Sequence, residues 1–144
     1  MIFITEKFEY DYCLSRGFCP LIDNNFVLDI RLRVAIQREM FGLATGSKRN
    51  IMLANEKFFR WVWEHKKHIC EETMRPLYNY SAAFCSHILA RGAYPEMAHD
   101  PRNINILCLE AHNKWENGNK KEMRIYKKNI KTIEILKKEY RLLK

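Results

Sequence analysis

"FCSHILARGAYPEMAHDPRNINILC", residues 84–108, is the stretch that decides how this chain reads. It opens on an apolar run that carries Cys85, Ser86 and His87, and it closes on a second run, "INILC". "AAFCSHIL" (82–89) and "INILC" (104–108) each suit a short strand. Between them "ARGAYPEMAHDPRN" (90–103) holds two prolines and one glycine, and an ordered loop that long is commonly functional. Beyond Cys108, "EAHNKWENG" (110–118) reads as a short helix stopped by Gly118. The order is strand, long loop, strand, helix. His87 sits near the end of the first strand and His112 in the helix, so both can face one side of a small cleft.

Upstream, "FVLDIRLRVAIQREMFG" (26–42) places Leu28, Leu32, Ala35 and Ile36 on one helical face, with Gly42 as a stop. The start of the same run alternates like a strand. "ATGSKRN" (44–50) reads as a flexible basic connector. Asn55 is the expected N-cap of a helix to about His68, with Glu56 in its first turn. Phe58, Phe59, Val62 and Trp63 form that helix's apolar stripe, and Trp61 lies off it. "CEETMRPLYNYS" (70–81) reads as a turn-rich ribbon. Residues 1–25 are mixed, with turns at Gly17, Pro20 and 23–25. From about 120 to 142 the apolar positions Met123, Tyr126, Ile130, Ile133, Leu136, Tyr140 and Leu143 describe a cationic amphipathic helix. The expectation is a single α+β domain over 1–144, mostly helical. It divides into an N-terminal extension (1–50), a core with a leading helix (51–119) and a basic C-terminal helix (120–144).

At 144 residues the chain has the size of one domain and buries most of its apolar surface without disulfides. Five cysteines, an odd number, argue against a disulfide framework. No apolar run reaches the length of a membrane span. The opening "MIFITEKFEYDYC" lacks a hydrophobic signal core, which makes a cytoplasmic location the expectation. The net charge is +8, and Lys114–Lys144 alone carries eleven Lys/Arg against four Glu. A concentrated basic face favours a polyanionic partner, with a solvated helix face as the plain alternative.

Phosphodiester hydrolysis needs a base for water, a cation against the charge building on phosphate, and stabilisation of the leaving 3′ oxygen. A neutral histidine suits the first need, and one divalent ion serves the other two. "SHI" (86–88), "RG" (91–92), "DPRN" (100–103), "NILC" (105–108) and "HNKWENG" (112–118) together resemble the HNH endonuclease motif. The resemblance covers about residues 68–119. It implies a ββα-metal finger packed against the flanking N- and C-terminal helices. It also implies a metal-dependent endonuclease that hydrolyses DNA phosphodiester bonds, with RNA left open as a substrate. In that pattern His87 is the general base, Asn103 the structural brace of the loop, and His112 a ligand of one Mg²⁺ or Mn²⁺. Arg91, Arg102, Lys114, Lys120 and Lys121 are the candidate nucleic-acid contacts, Arg102 doubling as a residue that closes the loop. One finger holds one active site and nicks one strand. The chain acts as a monomer or a homodimer, the latter able to cut both strands.

Two departures from the family pattern matter. The position before the first histidine, often acidic, is Ser86, and a hydroxyl is a poor Mg²⁺ ligand beside a carboxylate. Asp100, His99, Glu96 and Asn113 are the candidates to replace it. Where many members carry two C-x-x-C pairs for zinc, this chain reads "CEET" and "CLEA", with Thr73 and Ala111 at the partner positions. Two thiolates do not complete a zinc site, so no structural zinc is expected, and packing by Trp115, Leu107 and the leading helix takes over. The missing ligands also support a second reading: a catalytically weak or inactive nucleic-acid-binding module on the same scaffold.

Overall fold

The computed structural model describes residues 1–144 as five α-helices and two small two-stranded sheets, a mixed α+β fold dominated by helix. β1 (Ile2–Ile4) and β2 (Phe26–Leu28) pair in parallel, Ile2 opposite Phe26, and α1 (Lys7–Ser15) lies in the crossover that a parallel pair requires. Both readings of "FVLDIRL" are realised in turn. Phe26–Leu28 is the strand, and Asp29 then caps α2 (Ile30–Phe41) by accepting from the Arg31 and Leu32 N–H groups.

The helix that follows, α3 (Lys48–His65), starts earlier than the Asn55 cap predicts. Ser47 is the cap, its hydroxyl accepting from the Asn50 N–H, so the basic end of the connector becomes the first helical turn. Asn55 is instead a mid-helix tether, accepting a 2.7 Å hydrogen bond from His99 in the long loop. Trp61 is half-buried, edge-on to Phe41 and stacked on His65.

β3 (Cys85–His87) and β4 (Ile104–Ile106) form an antiparallel pair with His87 opposite Ile104 and Ser86 opposite Asn105. The loop joining them contains two 3₁₀ turns, Pro95–Met97 and Pro101–Asn103, each started by proline. α4 (Leu109–Asn117) follows β4 and stops at Gly118. The last helix, α5 (Tyr126–Leu142), is shorter than the 120–142 pattern predicts. Asn119 caps a 3₁₀ turn at Lys120–Glu122, and the chain bends so that Met123 and Ile125 bury against Trp115 instead of extending the helix.

Phe58, Val62 and Trp63 of α3 bury against Cys85, Ile104 and Ile106 of the β3–β4 pair. Full burial of side chains such as Phe58 and Val62 contributes about 1.5–3 kcal/mol each. On the other side Leu107, Ala111 and Trp115 close against Cys70 and Ile88. α5 is fastened by a reciprocal amide pair. Asn129 donates to Asn105 at 2.7 Å and Asn105 donates back at 3.2 Å, both side chains fully buried. No helix is long and apolar enough to cross a membrane.

Candidate active-site cleft

Alternation along β3 sends Cys85 and His87 to one face and Ser86 to the other. Cys85 and His87 line a cleft of about 440 Å³ together with Phe59, Arg91, His112, Glu116 and Lys120. Ser86 is fully buried away from it, its hydroxyl without a hydrogen-bond partner. Cys85 contributes no nucleophile, because burial pushes its thiol up to about 12.

His87 is held by the loop it faces. Its Nε2 lies 2.8 Å from the Ala98 carbonyl oxygen, which can only accept, so Nε2 carries the proton and the Nδ1 lone pair is left free. Desolvation brings the imidazole pKa down to about 4, against the Ala98 hydrogen bond that favours the charged form; Arg91, His99 and His112 lower it further. Phe59 lies edge-to-face with the ring, at 5.7 Å between centroids. The result is a positioned, neutral imidazole.

Asn103 makes the Ala98 contact possible. Fully buried, it accepts from the Leu89 N–H at 2.7 Å and donates to the Leu89 and Met97 carbonyls at 3.1 Å each. One amide thus ties both ends of the loop and fixes Met97, next to Ala98. Asn103 touches the loop backbone rather than the cleft.

On α4, His112 Nδ1 lies 2.6 Å from the Ala83 carbonyl oxygen and therefore donates. Its Nε2 lies 2.9 Å from Glu116 Oε1, one helical turn on. A ring whose Nδ1–H is anchored on a carbonyl is oriented to ligate through Nε2. The 2.9 Å separation is that of a hydrogen bond, and an ion held by these two atoms would take the place of the proton between them. Glu116 was not among the acidic replacements sought in the sequence, although "HNKWE" carries the signal: a carboxylate four residues after the histidine on one helix face. No cluster of three or more His, Cys, Asp or Glu that could hold a metal ion forms in the chain.

The other candidate ligands lie elsewhere. Asp100 is fully buried between Arg33 and Arg102. His99 is turned to Asn55, Glu96 pairs with Lys144 at 3.1 Å, and Asn113 accepts from Asn117. Among the candidate nucleic-acid contacts, Arg91 and Lys120 line the cleft, Lys120 also lying over the Trp115 ring at 4.8 Å. Lys114 and Lys121 are exposed on the adjoining surface, Lys114 within 4.0 Å of Glu122. Arg102 grips Asp100 and Glu139, both at 2.7 Å, and so closes the loop instead of offering its fork to a phosphate.

Comparison with family models, with curated proteins and with solved structures gave no match, so the functional reading rests on this geometry and on the motif.

Proposed function

We propose that the chain is a metal-dependent endonuclease of the HNH type, a phosphodiester hydrolase that nicks DNA, with β3, β4 and α4 as its ββα-metal finger. The observation that carries the proposal is the convergence of His87 and the His112–Glu116 pair on one cleft, with the His87 Nδ1 lone pair uncommitted. His112 Nε2 and Glu116 Oε1 are the donors that would hold one Mg²⁺ or Mn²⁺. An ion held there would supply positive charge against the phosphate and the leaving oxygen. His87 takes the proton of the attacking water through Nδ1. Ala98 and Asn103 hold that imidazole in place, and Arg91 and Lys120 supply positive charge along the cleft wall.

The experiment is a supercoiled-plasmid nicking assay with Mg²⁺ or Mn²⁺ against a chelated control. Metal-dependent conversion to open circles is the expected result. Retardation of DNA in a gel without nicking at any metal concentration turns the reading to the binding module, which the serine at position 86 favours. Glu116→Gln keeps the side chain's shape and removes its charge. It should raise the metal concentration for half-maximal nicking by roughly tenfold or more, with the rate at saturating metal much less affected. An unchanged metal requirement removes Glu116 from the site.

The pH profile is a second check. A general base works only when neutral, so with a pKa of about 4 His87 stays competent as pH falls and loses activity only near that value. Nicking at saturating metal should hold its plateau from pH 8 to about pH 5. A midpoint near 6.5, the value of an unperturbed histidine, contradicts this placement of His87.

A further inference from the structure

The two cysteines left over from the C-x-x-C comparison are neighbours in space. After α3 the chain turns sharply at residues 70–74. The Met74 N–H donates to the Cys70 carbonyl at 2.8 Å, and Met74 takes a left-handed φ of 63°. The Thr73 N–H donates to the Cys70 sulfur at 3.4 Å. The Glu71 N–H donates to the Ile106 carbonyl at 2.8 Å, fastening the turn to the end of β4, two residues before Cys108. Cys108 packs against the same apolar cluster that contains Cys70. Cys70 is fully buried, whereas Cys108 is half-buried as the N-cap residue of α4, and both pack around Leu107, Ala111 and Trp115.

Two thiols alone do not complete a four-ligand zinc site. We propose that Cys70 and Cys108 form a reversible disulfide that staples the turn after α3 to the start of α4.

The oxidant is a small disulfide such as oxidised glutathione. Cys108, the accessible partner, attacks it: the glutathione S–S bond breaks, a mixed disulfide forms on Cys108, and one glutathione thiolate leaves. The Cys70 sulfur then attacks the Cys108 sulfur, forming the protein disulfide and expelling the second glutathione. Two protein thiols are oxidised, one small disulfide is reduced to two thiols, and the two protons pass from the cysteines to glutathione. The local environment assists the second step. Burial alone raises the Cys70 thiol, but the backbone N–H groups of Cys108, Thr73 and Glu72 stabilise the thiolate and bring it below its ordinary value.

The test incubates the full chain in glutathione buffers of rising oxidised fraction, traps free thiols by alkylation and maps the peptides. The expected result is loss of two of the five free thiols and a single Cys70–Cys108 cross-link, reversed by dithiothreitol. Closing a loop of roughly 40 residues should raise Tm by roughly 5–10 °C. Cys108→Ser, changed at the half-buried position so that the fold survives, should show neither cross-link nor Tm rise. Five free thiols in fully oxidised glutathione, glutathione retained on Cys108 without transfer, a pairing through Cys13 or Cys19, or a cross-link that lowers Tm each overturn the proposal. None of these readouts depends on nicking, so the staple and the nuclease reading succeed or fail separately.

Discussion

His87→Ala should lower the nicking rate at saturating metal by about 10²- to 10⁴-fold, the range a positioned general base contributes. Of the two histidines that line the cleft, His87 has Nδ1 outside any hydrogen bond, whereas His112 Nδ1 is anchored on Ala83 and its Nε2 faces Glu116, the pair assigned to the metal. The loss belongs to chemistry and not to folding. The side chain is half-buried, and its main contacts are the Phe59 ring edge and the Ala98 carbonyl, while the Asn103 amide bonds that set the loop are untouched. DNA retardation should therefore persist, and extra Mg²⁺ or Mn²⁺ should not restore the rate. Free imidazole, small against a cleft of about 440 Å³, should restore part of it. Equal nicking by wild type and His87→Ala removes His87 as base and moves the chemistry elsewhere.

The parts of this site that could be read from sequence are those whose physics is local. Apolar runs on either side of a loop with Pro and Gly gave β3 and β4 their places, and proline opened both turns within the loop. Asn103 was expected as a brace only through its place in the motif; its amide bonds to Leu89 and Met97 are contacts that a turn asparagine after proline would also make. What escaped depends on pairs distant in sequence or on competition between signals. Glu116 was overlooked in favour of acids in the loop, yet Glu96 is engaged by Lys144, just past α5, and Asp100 by Arg33 of α2 and Arg102 of the loop itself. Arg102 stayed open between phosphate contact and loop closure, because its partner Glu139 lies far along the chain in α5. Asn55 has the chemistry of a cap, but Ser47 also does and is followed by residues that continue the helix, so the helix begins there.

Asp100→Ala should destabilise the fold by about 3–5 kcal/mol, the usual result of removing one partner from a buried ion pair. The carboxylate is fully buried. Its Oδ1 accepts from Arg33 Nη1 at 3.2 Å and from the Arg102 backbone N–H and Nε at 3.0 Å each, and its Oδ2 accepts from Arg102 Nη2 at 2.7 Å. Arg33 also holds the Leu21 carbonyl at 3.2 Å, and Arg102 holds Glu139. One carboxylate therefore joins the residues before β2, α2, the long loop and α5. Without it the Arg33 guanidinium is left buried with no carboxylate beside it, whereas Arg102 keeps Glu139. Thermal unfolding should show a Tm lower by roughly 10 °C or more. Burial alone raises the Asp100 pKa, but Arg102 and Arg33 overcome this and hold it well below the ordinary carboxylate range. A depressed pKa contributes stability above the unfolded-state value of about 4, and that contribution is lost as pH falls toward the folded-state value. The gap between wild type and Asp100→Ala should accordingly stay constant from pH 8 to about pH 5 and narrow below about pH 4. Chemical denaturation across that range measures it; a gap that instead closes between pH 8 and pH 6, or a change under about 1 kcal/mol throughout, refutes the central role given to Asp100.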